Sequence, residues 1–311
     1  MTGMRLGDAT TEAEQALEQA VRRVARWQGS DLRYGPVGGG ITNSNWRVDA
    51  DQDSFFVKIP GRGTEMFIDR AVALDASQKA YLLEIGPEVH DWLAADGIEI
   101  ATFITDRRTC GLADFHDMEI ARSVVDNYRK FHAAPALSLT KTIFDMIAEH
   151  VMQVDALNGW RPPDVTWLLR QVALAQAAVT ASGLDLVPCF NDPMPGNFLV
   201  AQDKSVMMID YEFAANNDRA YDLGVWFGEM FFSPEQEMAL VEYYMGSCNA
   251  ATLARTTIYK ALADIKWATW SMVQERISAV DFDYRKYGVW KYMRARNVIA
   301  DPRWPDWLRL V

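Results

Sequence analysis

The chain has 311 residues, half of them hydrophobic, enough for one large domain or two ordinary ones with a real core, which excludes a disordered chain. Its 31 Lys and Arg against 42 Asp and Glu leave a formal net charge of -11, which argues against nucleic acid or an anionic membrane surface as the main partner and suits a cationic small molecule. Three cysteines, Cys110, Cys189 and Cys248, form no paired motif, so neither a disulfide framework nor a zinc site is expected.

In chain order, residues 1–18 carry acids where a leader peptide would need an apolar core, and no window reaches the length of a membrane span. A cytoplasmic protein without membrane insertion is expected. Residues 11–27 have apolar spacing of helical period and stop before Gly29, predicting an amphipathic helix. Gly38, Gly39 and Gly40 then lead into strands over 42–48 and 54–59 joined by a polar turn, a hairpin opened by a glycine-rich loop. A helix over about 65–83, a turn at Gly86-Pro87 and a strand over 98–104 follow. Polar residues 105–109 read as a hinge, dividing a nucleotide-binding lobe (1–105, with the N-terminal helix) from a catalytic and substrate-binding lobe (106–311). Beyond it the pattern turns helical over 117–131, 143–157, 165–180, 234–245 and 254–280, interrupted by short strands at 198–200 and 206–209. The expected class is α+β: a small lobe with an antiparallel sheet and a larger, mainly helical one, with the ligand between them.

The chemistry concentrates in Cys189-Phe190-Asn191-Asp192-Pro193-Met194-Pro195-Gly196-Asn197, which runs into a strand, with Asp210 at the end of the next. Asp192 and Asn197 have the spacing of Asp and Asn in a kinase catalytic loop, and Asp210 falls where the kinase metal-binding aspartate follows. Mg²⁺ is hard and takes oxygen ligands, so an Asn carbonyl and an Asp carboxylate suit it, while a second carboxylate can accept a hydroxyl proton. Turn residues around two prolines and a glycine would read the same way alone. The company they keep argues for function: a glycine loop whose N–H groups can approach phosphates, and Lys58 in the apolar strand Phe56-Val57-Lys58-Ile59.

On Gly39-Gly40-Ile41-Thr42-Asn43-Ser44-Asn45, Ile59-Pro60-Gly61, Ile68-Asp69-Arg70, Asn191-Asp192 with Asn197, Ile209-Asp210-Tyr211-Glu212-Phe213, Tyr221-Asp222-Leu223-Gly224 and the late run Trp267 to Gln274, the chain resembles the choline/ethanolamine kinase branch of the protein-kinase-like, aminoglycoside-phosphotransferase-like superfamily. The likeness covers nearly the whole chain. It implies a two-lobed protein-kinase-like fold, ATP and Mg²⁺ as cofactors, and a small amino alcohol as acceptor. It implies Asp192 as catalytic base, Asn197 and Asp210 as metal ligands, and Gly39, Gly40, Asn43 and Lys58 on the nucleotide. Glu212, Phe213, Glu229, Trp267 and Trp270 match the acceptor pocket. Two positions depart from the family pattern. Phe190 replaces a histidine that braces the catalytic loop, and Ala73 replaces the glutamate that orients the strand lysine. Asp69, four residues earlier and on the same helical face, is the expected substitute.

Trp267 and Trp270 fall off the aliphatic stripe of their helix, Ile258, Leu262, Ile265, Thr269 and Met272, and so need a second environment, an interlobe contact or a substrate pocket. Aromatic faces and net negative charge favour choline. Ethanolamine, thiamine or an aminoglycoside as acceptor, and a nucleotide-binding pseudokinase, are the alternatives. His132, after an apolar helical run, reads as structural.

Overall fold

The structure is a computed structural model describing residues 3–38, 40, 43–61 and 63–311. Strand β1 (Met4–Arg5) precedes helix α1 (Glu12–Val21), which a Thr11/Glu14 capping box starts. The helix ends at Val21, short of the expected residue 27, because Val24 turns extended and a 3₁₀ turn over Ala25–Trp27 carries Val24 and Trp27 into the core of the first lobe. Next come β2 (Leu32–Pro36), β3 (Asn43–Ala50) and β4 (Asp53–Pro60). Ala50 pairs with Asp53 across the β3–β4 hairpin, leaving a two-residue turn in which Asp51 takes a positive φ of 54°.

Helix α2 (Arg70–Leu82) begins later than sequence periodicity suggests because Asp69 caps it, accepting from the N–H groups of Ala71 and Val72 at 3.1 and 3.2 Å. Strands β5 (Val89–Leu93) and β6 (Ile98–Thr102) complete a six-stranded antiparallel sheet of order β1-β2-β3-β4-β6-β5. α1 and the 3₁₀ turn after it cover one face of it: Leu17, Val21 and Trp27 share a core with Tyr34, Trp46, Phe55 and Val57.

The second lobe runs β7 (Arg108–Thr109), α3 (Met118–His132), α4 (Ile143–Ala156), α5 (Val165–Ser182), β8 (Leu186–Cys189), β9 (Phe198–Val200), β10 (Val206–Met208), β11 (Ala215–Asp218), α6 (Arg219–Met230), α7 (Pro234–Met245), α8 (Ala250–Ile277), α9 (Tyr284–Ile299) and α10 (Trp304–Leu310). The antiparallel pairs β9–β10 and β8–β11 bracket the loop 190–197 and the segment 209–214. One core gathers Phe115, Tyr128, Phe131, Phe190, Phe198, Tyr211 and Trp226; a second joins α4, α5, α8, α9 and α10. α8 is its axis, enclosed by α4, α6 and α9. A helix surrounded on all sides buries every face, so the aliphatic stripe read from its sequence is one face among several.

Candidate active site

The loop after β8 is held from below by Asp222 of α6. Its carboxylate accepts the N–H groups of Phe190 and Asn191, each at 2.7 Å, and faces Nε2 of His132 at 2.9 Å, all buried. Asn191 sits at φ 64°, a region asparagine tolerates better than most residues, and its side chain is fixed by the Phe213 carbonyl and the Asn217 amide. Phe190 is fully buried, edge-on to Phe198 and Tyr211, so packing braces the loop where the family pattern has a histidine. His132 is structural here: its Nδ1 meets the Tyr244 hydroxyl at 2.6 Å. His132, Cys189 and Asp222 cluster, but each is committed to protein partners, the Cys189 thiol to the Asn217 carbonyl at 3.4 Å.

This bracing fixes Asp192 and Asn197 side by side. The Asn197 amide donates to the Asp192 carbonyl at 2.9 Å and to its Oδ2 at 3.3 Å, which leaves the Asn197 Oδ1 pointing elsewhere. Asp192 Oδ1 is buried and has no hydrogen-bond partner among the described residues. Burial pushes the Asp192 carboxyl up to about 7; Lys266 draws it back, and Asp210, Glu229 and Glu212 add to the rise. Asp210 adopts φ 69°, a strained conformation of the kind that clusters at functional sites.

From the first lobe, Lys58 reaches across to Asp210 at 2.8 Å, with Glu212 at 3.7 Å. Burial works against its charge, but Asp210, Glu212 and Glu99 together hold it firmly protonated. Glu212 is itself gripped by the Asn43 amide at 2.9 Å and by Arg70 at 3.5 Å, and burial still raises its carboxyl. Gly40 has φ 91°, and a Cβ there would lie 2.9 Å from the Asn45 side chain, so the loop needs glycine. Gly39 lies outside the described residues.

The expectation that Asp69 replaces the family glutamate is corrected: its carboxylate is spent on the N-terminus of α2. A different acid, from β6, stands opposite Lys58 in strand register. Glu99 is the direct cross-strand partner of Lys58 and hydrogen-bonds Ser77, one helical turn beyond Ala73. Burial lifts the Glu99 carboxyl, with Lys58 and Ser77 opposing the rise. Sequence reading missed it because strand register, not spacing, makes the pair; the apolar flanks Ile98 and Ile100 around one acid are the only local signal.

Phe213 stacks on Phe67 at 6.1 Å and meets Trp267 edge-on at 5.2 Å; Trp267 in turn meets Trp270 at 5.4 Å. Trp270 is buried against Tyr284 and Tyr287 of α9. Glu229 forms ion pairs with Lys291 and Arg294, which also hold Asp264. Burial disfavours its charge, but the two cations outweigh that and keep the carboxyl low. Lys266 of α8, unremarked in the sequence, is fully buried at this wall.

The lobes, the hairpin opened by a glycine-rich loop and the loop-then-strand order of the second lobe define the protein-kinase-like phosphotransferase fold. Among solved structures, a choline/ethanolamine kinase family protein from Mesorhizobium loti superposes with a TM-score of 0.80 at 23% identity, covering 96% of this chain and 98% of that one. Choline kinase LicA from Streptococcus pneumoniae gives 0.78 at 21% identity, covering 93% and 99%. A probable ethanolamine kinase of Arabidopsis thaliana is 23% identical over 290 residues, spanning 82% of this chain and 76% of the relative. The choline/ethanolamine kinase family profile matches residues 35–245, and the chain belongs to that family. It is accordingly a phosphotransferase with an alcohol as acceptor. No helix among the described residues is long and apolar enough to cross a membrane.

Proposed function

We propose that the chain transfers the γ-phosphoryl group of ATP to the hydroxyl of a small amino alcohol, in a Mg²⁺-dependent reaction. The observation that carries this reading is the convergence of Lys58 and Asp210, 152 residues apart in sequence, with Asp192 and Asn197 fixed beside them on a braced loop. Asp192 accepts the acceptor's hydroxyl proton; its unpartnered Oδ1 is free to do so. Asn197 and Asp210 offer hard oxygen donors and would hold Mg²⁺, which when bound offsets charge on the transferring phosphoryl group. Lys58, oriented by Glu212 and Glu99, and the loop carrying Gly39, Gly40 and Asn43 take the phosphates. Phe213 and Trp267 wall the acceptor side. Trp270 supports Trp267 from behind, and Glu229 balances Lys291 and Arg294.

The sequence preference for choline rests on tryptophans that need a second environment, and α9 and Phe213 already supply one. The reaction itself is tested by turnover of ATP with Mg²⁺ over choline, ethanolamine, thiamine and aminoglycosides. Phosphoryl transfer to an amino alcohol, abolished in Asp192→Asn, supports the assignment. Tight Mg·ATP binding with no transfer to any alcohol would instead mark a nucleotide-binding regulator.

A further inference from the structure

A cavity of about 620 Å³ is bordered by none of the residues proposed for catalysis. That is room for a small polar molecule with its water. Its charged walls are Glu84 after α2, Arg107 between β6 and β7, and Asp126, Arg129 and Lys130 of α3. Two of these are matched: Asp126 accepts from the Tyr243 hydroxyl at 3.0 Å and lies 4.0 Å from Arg129. The other three are open. Arg107 commits only Nη1, which donates to the Ser205 carbonyl at 2.8 Å and hydroxyl at 2.9 Å. Asp203 lies in the field of Arg107, but its carboxylate is engaged by the Ser205 N–H at 3.0 Å and hydroxyl at 2.7 Å. Lys130 and Glu84 are exposed, and neither side chain has a partner among the described residues. The unmatched charge of the cavity is therefore two cations and one anion.

We propose that this cavity is a second binding site, for a small zwitterion that carries a phosphate monoester and an amine, and that its occupant slows phosphoryl transfer. The product of the proposed reaction belongs to this class, and only for that identity does the inference rest on the proposed function. A phosphate monoester is close to a dianion at neutral pH and takes charge-assisted hydrogen bonds from guanidinium and ammonium groups. Arg107 and Lys130 supply one of each, and Glu84 takes the amine. Exposed pairs are individually weak, so affinity comes from the three acting on one ligand. The route to the active site is short. Val206 opens β10, and two further walls of the cavity hold it: the Ser123 hydroxyl accepts its N–H at 2.9 Å, and the Asn127 amide donates to its carbonyl at 2.7 Å. At the other end of β10, Met208 donates to the carbonyl of Ile85, next to Glu84, at 2.7 Å. Ile209 then donates to the Asn197 carbonyl at 2.9 Å, one residue before Asp210. A phosphate that draws the Arg107 guanidinium off Ser205 loosens the outer end of the strand that positions both proposed metal ligands.

The probe is O-phosphoethanolamine, titrated calorimetrically into the full chain with Mg²⁺ and a non-hydrolysable ATP analogue, whose γ-phosphate fills the place a product phosphate would take in the active site. The wild type should bind the probe, and Arg107→Gln combined with Lys130→Gln should weaken that binding at least about tenfold. Ethyl phosphate, which lacks the amine, should bind about threefold more weakly than the probe, and Glu84→Gln should remove that difference. None of the three side chains belongs to a core, so the variants should fold. In turnover assays the probe should lower kcat at saturating acceptor in the wild type and not in the double variant. Failure of the probe to bind the analogue-loaded wild type would overturn the inference. Undiminished binding in the double variant, equal affinity for ethyl phosphate, or inhibition that saturating acceptor abolishes would each do so as well. Phosphoryl transfer without such binding would leave the proposed reaction standing. Binding that the double variant loses, with no transfer to any alcohol, would leave the site and refute the reaction instead.

Discussion

Asp192→Asn separates catalysis from stability in opposite directions. In the metal-free protein burial holds the Asp192 carboxyl at about 7 against an ordinary 3.8. The folded chain therefore keeps a proton that the unfolded chain releases near pH 4, and folded stability falls as pH rises from about 4 to about 7. At roughly 1.4 kcal/mol per pH unit of difference, the full penalty above pH 7 is about 4 kcal/mol. Asparagine has the same shape, keeps a carbonyl oxygen for the Asn197 amide and carries no charge to desolvate. It also strips Lys266 of its counter-charge, which returns part of the gain, so the net expectation is about 1–3 kcal/mol of added stability at pH 8, with little change at pH 4. Loss of the base should lower kcat by about 10²–10⁴-fold with ATP affinity nearly intact. Thermal melts of both metal-free proteins at pH 4 and 8, run beside single-turnover assays on the same preparations, measure both effects. A variant that melts below wild type at pH 8, or one that keeps kcat within a few-fold, would refute the account of Asp192 as a buried, strained base.

Asp210→Ala should abolish Mg²⁺-dependent transfer and Asn197→Ala should weaken it in a way that excess Mg²⁺ partly restores, since a charged ligand holds the ion more strongly than an amide; Mg²⁺ titrations decide, and matching curves for variants and wild type would place the metal elsewhere. Glu99→Gln should raise the KM for ATP several-fold through a loosened Lys58, while Asp69→Ala should cost about 1 kcal/mol of stability as a lost helix cap and leave that KM unchanged. Steady-state kinetics and melts on both variants test the assignment, and the reverse pattern would restore Asp69 as the lysine's partner. Asp222→Ala strands the buried N–H groups of Phe190 and Asn191 and one nitrogen of His132, for a loss of about 3–5 kcal/mol read by denaturant unfolding. Trp270→Ala, emptying a site in the second core, should cost about 3–5 kcal/mol with little change in acceptor KM in the folded fraction; a raised acceptor KM at wild-type stability would return Trp270 to the pocket.

What the sequence determined by itself is the set of groups tied to local spacing. The order of glycine loop, strand lysine, Asp192, Asn197 and Asp210 is readable because each lies on or beside an element whose turns and apolar runs are local signals. The same signals gave the β3–β4 hairpin, β9 and β10, and the helices whose apolar period is clear. β8 and β11 escaped because Leu-Val-Pro-Cys and Ala-Asn-Asn-Asp have little strand propensity; they pair because the fold brings them together around the catalytic loop. α9, a helix of mixed aromatic and basic residues, has no apolar stripe to read. Tertiary structure alone decided the electrostatics. Asp69 was the acid on offer to Lys58 from spacing, yet a helix terminus claims it, and strand register sets Glu99 opposite the lysine instead. Nothing in the spacing of Lys266 and Trp267 reveals that one covers the other, since neighbours in a helix diverge by about 100° and meet only where surrounding helices leave the long side chain no path to water.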